Sequence, residues 1–191
     1  DAMAANTAPK AKLAKAVGDI GATGVETSLI GWLAGADTET TKNIYYALGQ
    51  TGTAASLPTL RKAAASAGYA DEPTQAVRSY VALLRNHSAG QSGQGTKEAM
   101  NLNKKARAET QYGAAWSGFD VYASLQGRSA MPLVTKATGN ASCVYRVGVL
   151  EIASGFMQAV DYKALAEQAK KRTGVEQKED IIALIGNSGD A

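Results

Sequence analysis

Cysteine and histidine are almost missing from this chain, and their scarcity argues against a zinc site of the usual Cys and His type and against a nucleophile activated by histidine. The 191 residues contain one cysteine, Cys143, and one histidine, His87. A single cysteine excludes an intrachain disulfide, and one residue of each kind falls short of the ligand set of a usual zinc site. A serine or cysteine nucleophile needs a base beside it, and His87 is predicted at a solvated helix end. We therefore assign no catalytic, metal-binding or cofactor-binding residue from the sequence.

Long apolar runs and a strong charge imbalance are missing too. No stretch of 18 or more apolar residues is present, so the sequence predicts no membrane span. The formal net charge is only +3, whereas nucleic-acid binders concentrate basic residues on one face. Hydrophobic residues (45%) and charged residues (19%) occur at the levels of a folded protein rather than a disordered one. Abundant alanine and only 6% aromatic residues favour closely packed helices.

What is present is a recurring five-residue phrase. Residues 20–24 read Ile-Gly-Ala-Thr-Gly, residues 48–52 read Leu-Gly-Gln-Thr-Gly and residues 185–189 read Ile-Gly-Asn-Ser-Gly. The first two copies start 28 residues apart, and the third starts 137 residues after the second, close to four steps of about 34 residues. Recurrence at a period of 20–50 residues predicts a repeat array, in which each unit buries its apolar face against its neighbours.

The apolar residue that opens each phrase ends a helical pattern. Ile20, Leu48 and Ile185 have mainly apolar residues three and four positions earlier, and Leu84 and Ile152 repeat the arrangement. Such spacing forms one face of a helix and predicts the core stripe. The Gly and Thr or Ser residues that follow predict a turn, because glycine tolerates the left-handed conformation found at helix ends.

A second helix is predicted after each turn, most clearly at residues 25–33, 54–67 and 162–172. Capping or first-turn residues at 37–39, 71–73 and 140–142 mark the helix starts that follow. Cys143 lies in an apolar, predicted helical stretch, where we expect a small buried side chain. The sequence predicts an all-α fold of about five helix pairs plus an incomplete sixth, whose helix covers about 177–185.

Two segments depart from this regularity. Residues 1–9 are small and lack the basic region and apolar core of a signal peptide, so we expect a tail before one domain at 10–191. Within the domain we expect an irregular insertion near 88–106, with a mobile Gly, Ser and Gln loop at 88–96 and a polar helix at 97–107. One long helix is predicted at 108–125. Insertions in repeats lie on one face, which is often the binding face.

Two motifs resemble a known family. Residues 47–52 (Ala-Leu-Gly-Gln-Thr-Gly), followed by Leu-Pro-Thr-Leu at 57–60, resemble a HEAT repeat of the short bacterial type also seen in phycobilisome-lyase-like proteins. Residues 72–78 (Glu-Pro-Thr-Gln-Ala-Val-Arg) are similar to the family's acid-proline opening. The resemblance is strongest over 37–87 and weakest over 88–139. It implies an α–α superhelix, an armadillo-like α-solenoid, that acts as a scaffold and holds other macromolecules on its concave face.

Aromatic residues and one basic cluster are the candidate contacts to a partner. Tyr and Trp are enriched at binding hot spots, and clustered cations attract phosphate groups. Core packing is the competing interpretation for the aromatic residues, Tyr162 included, and a solvated helix face is that for the cations. The candidate partner-binding residues are Trp32, Tyr69, Lys104, Lys105, Arg107 and Trp116.

Three functions fit these patterns. The leading hypothesis is a non-enzymatic helical-repeat module that binds a protein partner or another domain of the same polypeptide. The last phrase follows a first helix without a second, which favours as an alternative the repeat segment of a larger bacterial carbohydrate-active enzyme, with its hydrolase domain elsewhere. That alternative favours a periplasmic or secreted location, although one cysteine fits the cytosol equally. The third hypothesis is a HEAT-like DNA-glycosylase module, which the small net charge disfavours.

Overall fold

The computed structural model describes residues 7–88 and 92–188, and within these ranges the fold is all-α. Short 3-10 turns at Ala54–Ser56 and Gly127–Ala130 lead into the fourth and eighth helices. The α-helices are α1 (Thr7–Ile20), α2 (Glu26–Trp32), α3 (Thr38–Thr51), α4 (Leu57–Ser66), α5 (Ala76–Ser88), α6 (Ser92–Ala108), α7 (Tyr112–Gln126), α8 (Met131–Ala137), α9 (Cys143–Ser154), α10 (Ala159–Lys171) and α11 (Val175–Asn187).

Polar caps start three helices where the sequence places them. The Asp37 carboxylate accepts a hydrogen bond from the backbone N–H of Thr40, at 2.7 Å, at the start of α3. Ser142 accepts from the backbone N–H of Tyr145, at 3.2 Å, at the start of α9. Before α5, the Glu72 carboxylate accepts from two backbone N–H groups at 2.6 and 2.9 Å. Each cap satisfies donors that a helix start leaves open, so these predicted starts are confirmed.

Consecutive odd-numbered helices pack side by side, from α1 through α3, α5, α7 and α9 to α11. Each even-numbered helix packs on the odd-numbered helix that follows it, and α6 also contacts α5. The predicted stripe forms this core, since Ile44 and Leu48 on α3 and Tyr80 and Leu84 on α5 are fully buried. Burying one such side chain contributes about 1.5–3 kcal/mol, so the stripe accounts for the side-by-side packing.

Ion pairs join side chains that are one predicted repeat apart. Three of these are Arg–Asp pairs whose members lie 33 to 35 positions apart in the sequence. The pairs are Arg85 with Asp120, Arg128 with Asp161, and Arg146 with Asp180. The separation is close to the expected repeat length of about 34 residues, and each pair joins two elements that are not consecutive in the chain.

The phrase glycines have two different roles. Gly21 and Gly24 have φ angles of +68° and +82° and lie in the turn after α1, as predicted. Gly49 and Gly186, however, lie inside α3 and α11, so the turn prediction is wrong for these two glycines. A Cβ atom on Gly49 would lie 2.8 Å from the carbonyl oxygen of Ser79 in α5. Glycine there permits two helices to approach closely, which is a packing role.

Residues 88–125 differ most from the sequence prediction. Residues 92–106 of the expected insertion lie within the 17-residue helix α6, and residues 89–91 lie outside the described residues. The expected single helix at 108–125 is interrupted, because α6 ends at Ala108 and α7 begins at Tyr112. Thr110 between them has a φ of +58°, in the left-handed region that ends a helix.

Three further expectations concern Cys143, the N-terminal tail and His87. Cys143 is the first residue of α9 and is exposed, so its predicted burial is wrong; the buried side of α9 is formed by later residues such as Val149 and Leu150. The expected tail overlaps α1, which begins at Thr7, while residues 1–6 lie outside the described residues. His87 belongs to α5, and its side chain also lies outside the described part.

Candidate binding surface

An open groove of about 450 Å³ lies between α9 and α11. Leu150 and Tyr162, both buried, and the partly buried Leu184 are its apolar lining, and exposed Val147 stands at its edge. Glu151 on α9 and Glu179 on α11 also line it. Neither carboxylate takes part in an ion pair within residues 7–88 and 92–188. We call this feature the α9–α11 groove; it combines apolar contact area with negative charge.

A buried arginine fixes the spacing of the two helices that form the α9–α11 groove. Arg146 on α9 donates from Nε to the Asp180 carboxylate on α11 at 2.6 Å. Its Nη1 donates to the carbonyl oxygens of Asn140 and Ala141 at 2.7 and 3.1 Å. The charge of Asp180, which also lines the groove, is therefore compensated from inside the protein. Glu151 and Glu179 are the lining carboxylates without such an ion-pair partner in the described part of the chain.

A second groove, of about 430 Å³, lies between α5 and α7. The two arginines that line it form ion pairs within the chain: Arg78 with Asp71 at 3.0 Å and Arg85 with Asp120 at 2.7 Å. Tyr69, one of the candidate contacts, lines this groove from the turn after α4, where its φ is +60°. Burial, followed by the charge of Glu109, raises the pKa of Tyr69. Of the six candidate partner-binding residues, Tyr69 is the one that lines either of these two grooves.

The two tryptophans pack against the core. Trp32 ends α2 and is partly buried against the core cluster. Trp116 on α7 lies against α9, where a Cβ atom on Gly148 would overlap its indole ring. The Trp116 Nε1 is buried without a hydrogen-bond partner among the described groups. Neither ring lines the two grooves above, so the structure brings the tryptophans into helix packing rather than onto one common surface.

The basic cluster is divided between two environments. Lys104 and Lys105 are exposed on α6. The guanidinium carbon of Arg107 lies 5.0 Å from the centre of the Tyr145 ring, a cation–π contact to α9. Arg107 therefore helps to hold α6 against α9, and the three cations do not converge on one site.

The side chains of Asn103 and Tyr145 form a buried polar junction that the sequence interpretation missed. The Tyr145 hydroxyl donates to Asn103 Oδ1 at 3.1 Å, and Asn103 Nδ2 donates to the carbonyl oxygen of Ala115 at 2.8 Å. This junction links α6, α7 and α9. Asn103 is followed by two lysines in a polar segment, and that pattern gave no signal of burial.

The Arg–Asp ties, in contrast, can be recognised in the sequence. Arg85, Arg128 and Arg146 each precede an aspartate at close to the period of the recurring phrase. A search for opposite charges at that period would have found them.

Among the residues that the structure describes, no group of three or more His, Cys, Asp or Glu side chains is arranged to hold a metal ion. In the same residues, no helix combines the length and apolar character needed to cross a membrane. The chain matches no protein-family model, and comparison with curated proteins and with solved structures found no significant match.

Proposed function

We propose that this chain is a non-enzymatic helical-repeat module of the HEAT-like type, which binds a protein partner or another domain of its own polypeptide. The observation that carries the proposal is the α9–α11 groove, with Leu150, Tyr162 and Leu184 as an apolar lining. Grooves between packed helices bind amphipathic segments by burying apolar side chains. The Arg146–Asp180 tie keeps the groove formed before a partner arrives, which lowers the ordering cost of binding.

The repeat character of the module is supported by two features of the fold. Odd-numbered helices contact their neighbours in chain order, and Arg–Asp ties recur at 33 to 35 residues. Both features are expected of an α-solenoid, in which each unit contacts only adjacent units. We include the α-solenoid architecture in the proposal for this reason.

The charge of the groove indicates the chemistry of the partner. Glu151 and Glu179 stand beside the apolar lining without an ion-pair partner in the described ranges. We expect a bound segment with two or three apolar side chains and a flanking Lys or Arg. Opposite charge at the edge of an interface mainly increases the association rate and the specificity.

Site-specific photocrosslinking tests this function with a matched control. Val147 lies in the groove and Val160, on α10, lies outside it, and both side chains are exposed. A photoreactive residue at position 147 is expected to capture a partner, and excess unlabelled chain is expected to compete. The same residue at position 160 is expected to capture nothing specific. Equal capture from both positions, or capture that survives Leu184→Glu in a folded chain, would contradict the proposal.

A further inference from the structure

Helix α11 presents an apolar face that no described helix covers. The side chains of Val175 and Ile182 are 67% and 60% exposed. Glu179 and Gly186 share their face, because positions separated by four, seven and eleven residues align along a helix. Within residues 7–88 and 92–188, α9 and α10 are the main helices that pack on α11; Ile182 lines a recess shared with α10, and Glu179 lines the α9–α11 groove. We call the face formed by Val175, Glu179, Ile182 and Gly186 the α11 free face.

One position of the α11 free face is covered by a helix where it recurs in α3. When the anchors Leu48 and Ile185 are aligned, Gly186 corresponds to Gly49. Gly49 is buried and approaches Ser79 of α5 closely, as described above. A Cβ atom on Gly186, however, would meet no atom within 4 Å. At this one position, α3 receives α5 whereas α11 is open.

α1, the first of the odd-numbered helices, also has an exposed apolar face, which we match to the α11 free face. Leu13 and Ile20 are 53% and 77% exposed, and Ala16 lies between them on the same side. We call the face formed by Leu13, Ala16 and Ile20 the α1 free face. α1 has 14 residues and α11 has 13, so both helices are about 20 Å long. The α1 free face spans about 10 Å and the α11 free face about 16 Å, so the two can pack against each other over about half of each helix.

The charges of the two helices are opposite. α1 carries three lysines and one aspartate, whereas α11 carries three carboxylates and one lysine. Lys15 is paired with Asp19 on α1, and Glu176 and Asp180 of α11 are both paired with Arg146, so Glu179 is the one remaining carboxylate of α11. Lys12 and Glu179 are in no ion pair within the described part of the chain. Each is available to a second copy of the protein.

We propose that copies of this chain associate head to tail, with the α1 free face of one copy packed on the α11 free face of the next. Such a contact joins two different surfaces and does not close on itself, so it produces open chains rather than dimers alone. One helix pair buries less than a standard interface, and we expect a dissociation constant on the order of 100 µM. Glu179 also lines the α9–α11 groove, so the two proposed contacts share this residue, whereas Val175, Ile182 and Gly186 are not part of the groove lining.

Sedimentation velocity of the full chain tests the association. The weight-average mass is expected to rise continuously between about 10 and 500 µM, across the expected dissociation constant, and to fall at high salt because exposed charges are screened. A single monomeric species over the whole range overturns the proposal. A mass that saturates at the dimer also overturns it, because an open contact has no such limit.

A pair of glycine variants separates the interface from fold stability. Gly186→Gln places a side chain where α1 of the next copy would pack and is expected to abolish the mass increase. Gly31→Gln is the matched control, because Gly31 is also helical and exposed, with no atom within 4 Å of an added Cβ. It is expected to associate like the unaltered chain. Equal behaviour of the two variants contradicts the assigned face.

Mixing tests the head-to-tail direction. Gly186→Gln leaves α1 able to bind, and Leu13→Glu leaves α11 able to bind. Each variant alone is expected to remain monomeric, whereas an equimolar mixture is expected to form a heterodimer and stop there. A mixture that stays monomeric overturns the proposal.

A charge exchange between Lys12 and Glu179 is a further test. Lys12→Glu and Glu179→Lys are each expected to weaken association several-fold, and the variant that carries both changes is expected to restore it.

Discussion

Arg146 of α9 and Asp180 of α11 form an ion pair inside the protein, with 2.6 Å between Nε and Oδ2. The Arg146 side chain is only 1% exposed. Its Nη1 also donates hydrogen bonds to the backbone carbonyl oxygens of Asn140 and Ala141, which help to stabilise the buried charge. Both partners belong to helices that frame the α9–α11 groove. The pair therefore links the stability of the last helical units to the shape of the candidate binding surface.

Removing Asp180 is expected to be costly. Asp180→Ala leaves the Arg146 charge buried without its main partner, and breaking a buried pair in this way costs about 3–5 kcal/mol. Urea unfolding followed by circular dichroism measures the change. Asp120→Ala is the matched control, because it breaks the exposed pair with Arg85, for which we expect less than about 1 kcal/mol. Similar losses in both variants would contradict the special role of Asp180.

Acid is expected to weaken the contact between Asp161 and Arg128. Two hydrogen bonds from the Arg128 guanidinium, at 2.9 Å each, and one from the Gln158 backbone N–H hold the pKa of Asp161 below its usual value. Because the folded-state pKa is lowered, the stabilisation is complete above the unfolded pKa of about 3.9 and is lost as the pH falls through the folded value.

Thermal unfolding between pH 7 and pH 2 measures this effect. The unaltered chain is expected to lose the stabilisation from the Asp161 contact below about pH 4, because the pKa of Asp161 is lowered in the folded state. Asp161→Asn cannot titrate and is expected to show a lower midpoint at pH 7 with a shallower decline in acid. An identical acid slope in both proteins would show that Asp161 does not contribute.

Gly49 and Gly186 occupy the same position in two copies of the five-residue phrase, but replacing them by alanine is expected to change the stability in opposite directions. Gly49→Ala places a Cβ against the Ser79 backbone of α5, and such overpacking costs about 1–3 kcal/mol. Gly186→Ala meets no atom within 4 Å and is expected to stabilise α11 by about 0.5–1 kcal/mol. Thermal unfolding at low concentration measures both changes without interference from association. A change of the same sign in both variants would contradict the packing role of Gly49.

The Gly148 position is expected to report on Trp116. In Gly148→Ala the new methyl group overlaps the indole ring, so the ring must move away from α9. Trp32→Phe leaves Trp116 as the sole tryptophan fluorophore. On that background we expect a red-shifted emission maximum, because the ring becomes more accessible to water. Gly31→Ala, on an unrelated exposed helix surface, is expected to leave the emission unchanged.

The helix positions and their caps could be predicted because they depend on local sequence. Asp37 and Ser142 act through backbone groups three residues away, and the stripe that includes Leu48 and Leu84 follows from helical period alone. The role of Gly49 could not be predicted in this way. It depends on how close α5 comes, and a glycine in a turn and a glycine at a helix contact look the same in sequence.

The candidate surface was harder to predict than the fold. Tryptophan is a residue type enriched at binding hot spots, but Trp32 and Trp116 pack against the core. The α9–α11 groove instead is lined by ordinary residues such as Val147 and Leu184, whose proximity arises from two helices about one repeat apart. Sequence chemistry identifies unusual residues, whereas this groove is made by the arrangement of common ones.

The Arg–Asp ties also bear on how the chain folds. Each joins residues only 33 to 35 positions apart, so the chain segment that must close before a tie forms is short. Short closures carry a small entropic cost and favour rapid folding. Under the proposed α-solenoid architecture, folding is expected to begin at any adjacent pair of units and to spread in both directions.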